Sequence, residues 1–216
     1  MSRLSNLFDK FRHTRSSAEG AAAEQRGGIQ WVIVGLGNPG EQYRRSRHNI
    51  GFMTIERLAS RNGVELSRRK FNAHCGEFHT EAGTALLVVP LTYYNRSGES
   101  AASILGYFKV PAERLIVVHD EMDLPEGQLR VKRGGGDAGN RGVRSMVQSL
   151  GKPDFIRVRV GTSHPVAEGD IDYVLKPLTN AELRAFEPML DRAGDAVLAV
   201  MRDGVERAMN AYNQRA

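Results

Sequence analysis

Residues 31–40 read WVIVGLGNPG, an apolar run leading straight into G-x-G-x-x-G. A short apolar run of this kind is a buried strand, and a strand followed by this glycine pattern usually announces a dinucleotide-binding fold. The residues that follow decide against that reading. In a dinucleotide site the helix starts inside the glycine motif, so that its N-terminus meets the pyrophosphate. Here helical spacing begins only near Asn49, after the polar, basic segment EQYRRSRH at 41–48. An acidic residue should also close a second strand about 20 residues on. The nearest, Glu56, lies inside the expected helix, and Pro39 stiffens the loop where the phosphate turn belongs. What is left is a strand end presenting Asn38, then an exposed basic loop that carries Tyr43 and ends at His48.

Working outward, strand and helix patterns alternate. NIGFMTIERLASRNG (49–63) has helical spacing, with Gly63 as a stop. Residues 71–90 read as two strands around a turn at 81–83, and 97–110 as a helix. RLIVVHDEMDLP (114–125) opens with a buried strand, and QLRVKR (128–133) alternates as a strand does. GGGDAGNRG feeds a helix, FIRVRVGT (155–162) is a further strand, and 179–212 form one or two amphipathic helices. Strands interleaved with helices predict an α/β fold, a single-domain sandwich with a central twisted mixed sheet flanked by helices. That domain spans 29–216. Residues 1–28 read as a flexible polar extension in which Leu4, Leu7, Phe8 and Phe11 fall at helical spacing. Asp9, Glu19 and Glu24 count against an organellar presequence there.

The 216 residues suffice for one sizeable core, and 30 Lys and Arg against 25 Asp and Glu leave a charge of +5. That excess permits a polyanionic partner without requiring one. The single cysteine, Cys75, excludes an intramolecular disulfide framework and suits a reducing, cytoplasmic setting. No stretch is apolar for long enough to span a membrane.

His48 stands just before a helix start, where nearby positive dipole ends disfavour the imidazolium, and a neutral imidazole is what a general base needs. By position alone it is a capping or surface histidine. A carboxylate partner changes that balance, and Asp120, leaving a buried strand where α/β sites gather, is the candidate. Neither G-x-S-x-G nor H-E-x-x-H occurs. Cys75, Glu77 and His79 would share one strand face, a pattern more common as surface decoration than as a metal site. Arg44, Arg45, Arg47, Lys132, Arg133 and Arg144 would make a phosphate-binding rim.

VGLGNPGEQYRRSRHNIGF, PLTYYNRSGES, VVHDEMDLPEGQLRVKRGGG and FIRVRVGTSHP occur in that order. Together they resemble the bacterial-type peptidyl-tRNA hydrolases, over residues 31–213. The resemblance implies a monomeric α/β enzyme without metal or nucleotide cofactor. Its substrate would be peptidyl-tRNA, cleaved at the ester that joins the peptide to the 3′-terminal ribose. It makes His48 the catalytic base and Asp120 the carboxylate that orients it. Asn38 would discriminate blocked from free aminoacyl ends, and Asn95 would bind the peptide. Tyr43 and Tyr93 fall on tRNA-contact positions, and Lys132 and Arg159 on a pair that clamps the tRNA 5′-phosphate.

The loop GGGDAGNRG departs from the resemblance. The family pattern has His-Asn where this chain has Asn140-Arg141, and that asparagine holds the peptidyl carbonyl and water. Arginine accepts no hydrogen bond and keeps its charge. Asn140 is expected to supply the amide, because a one-residue shift in a glycine-rich loop costs little; the alternative is that Arg141 donates to the oxyanion. A second reading follows from the same change: an RNA-binding protein on this scaffold that has lost efficient hydrolysis. Fold analogy to nucleoside phosphorylases is a poor warrant and adds nothing.

Overall fold

Every residue of β1 (Trp31–Gly35) is buried, as a continuous apolar strand must be when both sheet faces are covered. The computed structural model describes residues 28–165 and 169–214. Its sheet adds β2 (Arg68–Lys70), β3 (Ala73–Thr80), β4 (Gly83–Pro90), β5 (Leu115–Glu121), β6 (Leu129–Arg133) and β7 (Ile156–Gly161). Their order is β2-β3-β4-β1-β5-β7-β6. Strands β4, β1, β5 and β7 run parallel, while β2, β3 and β6 pair antiparallel at the edges. The expected mixed α/β sheet is the observed one.

Alternate residues of β1 feed two cores. Ile33 joins Ile50, Ile55, Leu58, Phe186 and Val197 on the face covered by α1 (Ile50–Arg61) and α5 (Asn180–Asp203). Val32 and Val34 join Ile104, Leu105, Val143 and Met146 on the face covered by α2 (Ser97–Phe108) and α3 (Arg141–Leu150). A short α4 (Asp170–Leu175) precedes α5, and α6 (Val205–Tyr212) closes the chain. Neither β2 nor α4 is announced in the sequence, since three exposed basic residues and one six-residue turn carry no usable periodicity.

Gly51 sets the start of α1. A Cβ there would lie 2.4 Å from both Leu36 N and Val118 O, so only glycine lets the helix abut the ends of β1 and β5. Residues 41–48 are only in part the exposed loop expected, with Glu41, Gln42, Arg44 and Arg45 exposed. They form two 3-10 turns, Glu41–Tyr43 and Arg47–Asn49, and Ser46 and Arg47 are buried. The proposed helix around Leu4, Leu7, Phe8 and Phe11 lies outside the described residues. Among those described, no helix is long and apolar enough to cross a membrane.

Candidate active site

The four parallel strands deliver their carboxyl ends to one place, where α/β sheets bind ligands. After β1 comes Asn38, after β4 the turn Tyr94–Arg96, at the end of β5 Asp120 and Glu121, and beyond β7 His164. Asn49 clips the first loop shut. Its Oδ1 accepts from Asn38 N at 2.8 Å and its Nδ2 donates to Asn38 O at 2.9 Å. The turn that carries His48 is braced from the far side by the segment leading into α5. Arg47 donates to Glu182 Oε1 at 2.7 Å, its guanidinium lies 4.2 Å from the centre of the Tyr173 ring, and Leu178 N donates to Arg45 O at 2.8 Å.

Thus held, His48 Nδ1 meets Asp120 Oδ2 at 2.8 Å. The other carboxylate oxygen accepts from the Tyr94 hydroxyl at 2.5 Å. The Tyr94 ring stacks on the imidazole, with centroids 3.5 Å apart and planes 9° from parallel. Asn140 caps α3 by accepting from Val143 N at 3.0 Å, while its Nδ2 donates to Tyr94 Oη at 2.9 Å and to Asp120 O at 3.3 Å. Burial by itself would raise the Asp120 carboxyl. The His48 charge and hydrogen bonds from His48 and Tyr94 outweigh it and hold the group below the usual carboxylate range. Burial, reinforced by the Asp120 charge, pushes the Tyr94 phenol far above its ordinary value. Burial likewise lowers the neighbouring His119, whose Nδ1 lies 2.7 Å from Asp120 O.

The His48 side chain is 18% exposed, enough to reach two adjoining cavities. One, of about 330 Å³, is lined by Asp120, Glu121, Asp123, Asn140, Arg141 and His164. The other, of about 210 Å³, is lined by Asn38, Tyr93, Asn95, Arg141, Val174 and Leu175. His48, Arg141, Ile171 and Val174 border both. A histidine with one nitrogen on a buried carboxylate and the other side open to a cleft is the arrangement of a general base. No group of three metal-ligating side chains occurs among the described residues.

The model of the peptidyl-tRNA hydrolase family matches residues 32–216. The chain belongs to the peptidyl-tRNA hydrolase family. It is 42% identical to the peptidyl-tRNA hydrolase of Geotalea daltonii over 184 residues, 85% of this chain and 96% of the relative. Identity to the enzyme of Frankia casuarinae is 43%, over 85% of this chain and 93% of that one. The crystal structure of peptidyl-tRNA hydrolase from Acinetobacter baumannii superposes with a TM-score of 0.79 at 34% identity, covering 87% of this chain and 97% of that chain.

Of the residues singled out from this family's pattern, His48, Asp120, Asn38, Asn95, Tyr93, Asn140 and Arg141 surround the paired cavities. Tyr43, Lys132 and Arg159 lie outside them. Tyr43 is half-buried in the first 3-10 turn. Lys132 on β6 makes no ion pair among the described residues, whereas Arg159 on β7 is held 2.7 Å from Glu121. The arginine rim is only partly free. Arg47 is buried on Glu182, and Arg144 pairs with Asp137 at 2.9 Å.

Sequence reasoning missed Tyr94 and Arg157. Arg157 donates to Gly136 O at 2.6 Å and to Gly135 O at 2.5 Å, pinning the glycine loop that leads to Asn140. A signal was present: Arg157 and Arg159 alternate with apolar residues along the expected strand FIRVRVGT, a pattern that sets two arginines on one sheet face. Tyr94 gave none, since it sits between two polar candidates in a turn without periodicity.

Proposed function

We propose that this chain hydrolyses the ester between a peptide, or an N-blocked amino acid, and the 3′-terminal ribose of tRNA, with His48 as general base and Asp120 orienting it. The observation that carries this reading is the 2.8 Å contact between His48 Nδ1 and Asp120 Oδ2 at the junction of two cavities. With Nδ1–H given to the carboxylate, Nε2 keeps its lone pair and takes a proton from water. The hydroxide attacks the ester carbonyl, and Asp120 offsets the charge of the imidazolium that forms. As the tetrahedral intermediate collapses, the imidazolium returns its proton to the departing ribose oxygen. The products are the peptide acid and free tRNA.

Asn38 and Arg141 supply hydrogen-bond donors around the carbonyl. Asn38 Oδ1 accepts from Tyr94 N at 2.8 Å, which turns its Nδ2 away from that bond, and the residue lines the smaller cavity. Arg141 is exposed and borders both cavities, so its guanidinium suits an oxyanion better than Asn140, whose amide is spent on Tyr94 and Asp120. Asn95 and Tyr93 contact the peptide and the terminal nucleotide, and Tyr43, Lys132 and Arg159 meet the tRNA. The unit that carries the reaction is residues 29–216. It works as a cytoplasmic monomer, without cofactor, and independently of residues 1–28.

Hydrolysis of an N-blocked aminoacyl-tRNA by the purified protein, with the unblocked form as control, tests the reading. Release of tRNA from the blocked form alone supports it. Tight tRNA binding with negligible release would overturn it in favour of an RNA-binding protein on the same scaffold.

A further inference from the structure

We propose that Tyr94 is a positioning residue for the His48–Asp120 dyad: its hydroxyl shares the Asp120 charge and its ring fixes the plane of the imidazole. The proposal rests on the reading of His48 as the base. The hydrogen bonds around Tyr94 have one possible direction. Val143 N can only donate, so the Asn140 atom it meets at 3.0 Å is Oδ1, and the atom facing Tyr94 Oη at 2.9 Å is Nδ2. An amide nitrogen only donates, so the phenol oxygen accepts there and its own proton goes to Asp120 Oδ1, 2.5 Å away. Asp120 Oδ2 takes Nδ1–H of His48, and Nε2 is left as the acceptor. The start of α3 thereby specifies the tautomer of the base through three side chains.

The ring is confined as tightly as the hydroxyl. His48 covers one part of it at 3.5 Å. Gly142 is packed so near another edge that a Cβ there would lie 2.4 Å from the Tyr94 ring. Its backbone is fixed too, with Tyr94 N on Asn38 Oδ1 at 2.8 Å and Tyr94 O accepting from Ser97 Oγ at 3.0 Å. One residue therefore registers both the dyad and the carboxamide that faces the carbonyl. The flat π-face beside the imidazole also favours its cationic form during turnover.

Tyr94→Phe keeps the ring and deletes the hydroxyl. Asp120 then directs its full charge at the His48 N–H, the imidazole holds a proton more tightly, and its return to the leaving oxygen slows. The expected result is a fall in kcat of roughly 10–100-fold, the loss of one charge-assisted hydrogen bond, with KM little changed. The acid limb of the log kcat/KM profile should move to higher pH. Asn140→Ser is the companion variant, because serine still caps α3 while removing the donor that orients the phenol. It should shift the profile the same way by less, and the double variant should be no slower than Tyr94→Phe alone. Independently of activity, the imidazole resonances of His48, followed by NMR through a pH titration of the free protein, should shift in Tyr94→Phe. A variant with lowered thermal stability but a wild-type pH profile and unchanged His48 resonances would reduce Tyr94 to packing and overturn the proposal, as would multiplicative losses in the double variant. Wild-type protein that fails to cleave blocked aminoacyl-tRNA while its His48 resonances respond to Tyr94→Phe would instead remove the assigned reaction and leave the positioning role intact.

Discussion

Arg47 reaches 2.7 Å to Glu182, tying the residue beside the base to the capping box that opens α5. Glu182 also accepts from the backbone and hydroxyl of Thr179, and these bonds, with Arg47, hold its carboxyl down to about 2. Arg47→Ala should loosen the His48 turn. Because Glu182 is partly exposed, the stability lost is about 1–2 kcal/mol, below the range for fully buried pairs. Urea unfolding reads that cost and steady-state kinetics the accompanying fall in kcat. Glu182→Gln, which keeps the capping box, should cost less on both counts.

His48→Ala should lower turnover roughly 10²–10⁴-fold, the range for a lost general base. Asp120→Asn should also be slow, since an amide orients the ring without offsetting its charge. If the pair acts as a unit, the double variant is little worse than His48→Ala. Circular dichroism and tRNA binding by the single His48 variant should match the wild type. Near wild-type hydrolysis by it would end the mechanism.

Arg141→Ala should reduce kcat by about 10²–10³-fold, the cost of one oriented oxyanion donor. Arg141→Lys should fail to restore it, because an ammonium lacks the forked geometry. Asn140→Ala should lose helix stability of about 1 kcal/mol through the missing cap, with a moderate loss of rate through Tyr94. An Asn140 variant slower than the Arg141 variant in single-turnover hydrolysis would place the amide, not the guanidinium, at the carbonyl.

Acid should weaken the fold partly through Asp120. Its folded value is depressed, so its contribution is present above the unfolded carboxyl range, near pH 4, and is lost as pH falls through the lower folded value. Stability therefore rises with pH across that window. Asp120→Asn should flatten the rise, and a series of urea titrations at pH 3 to 6 would expose an unchanged slope if Asp120 were not involved.

Lys132→Ala should weaken tRNA binding and flatten the dependence of log affinity on log salt by roughly one phosphate contact. Arg159→Ala should flatten it less, because Glu121 already offsets much of that charge. Fluorescence anisotropy across a salt series separates the two.

The central strands, the helices between them and Asp120 as the candidate partner of His48 were legible from residues, because each rests on apolar runs or strand ends that sequence spacing displays, while the roles of the pair came from the resemblance. The burial of Arg47 was not. A basic tripeptide looks solvent-exposed until Tyr173 and Glu182, well over a hundred residues later, are folded over it. The division of labour between Asn140 and Arg141 was equally hidden. It depends on which way a helix cap turns its amide, and that is set by Val143 N and Tyr94 Oη across the sheet end.

The bracing of the His48 turn by Glu182 also bears on the order in which the site can be assembled. During synthesis a nascent polypeptide is itself joined to tRNA by the bond proposed as substrate. His48 emerges early but has no carboxylate until Asp120 follows and β5 is laid against β1 in the Gly35–Val118 register. Its turn is not fully braced until Tyr173, Leu178 and Glu182 have been made as well. The parts that bring His48 to its carboxylate and hold its turn are thus spread from the end of β1 to Glu182, and a chain that stops short of Glu182 has an incomplete brace.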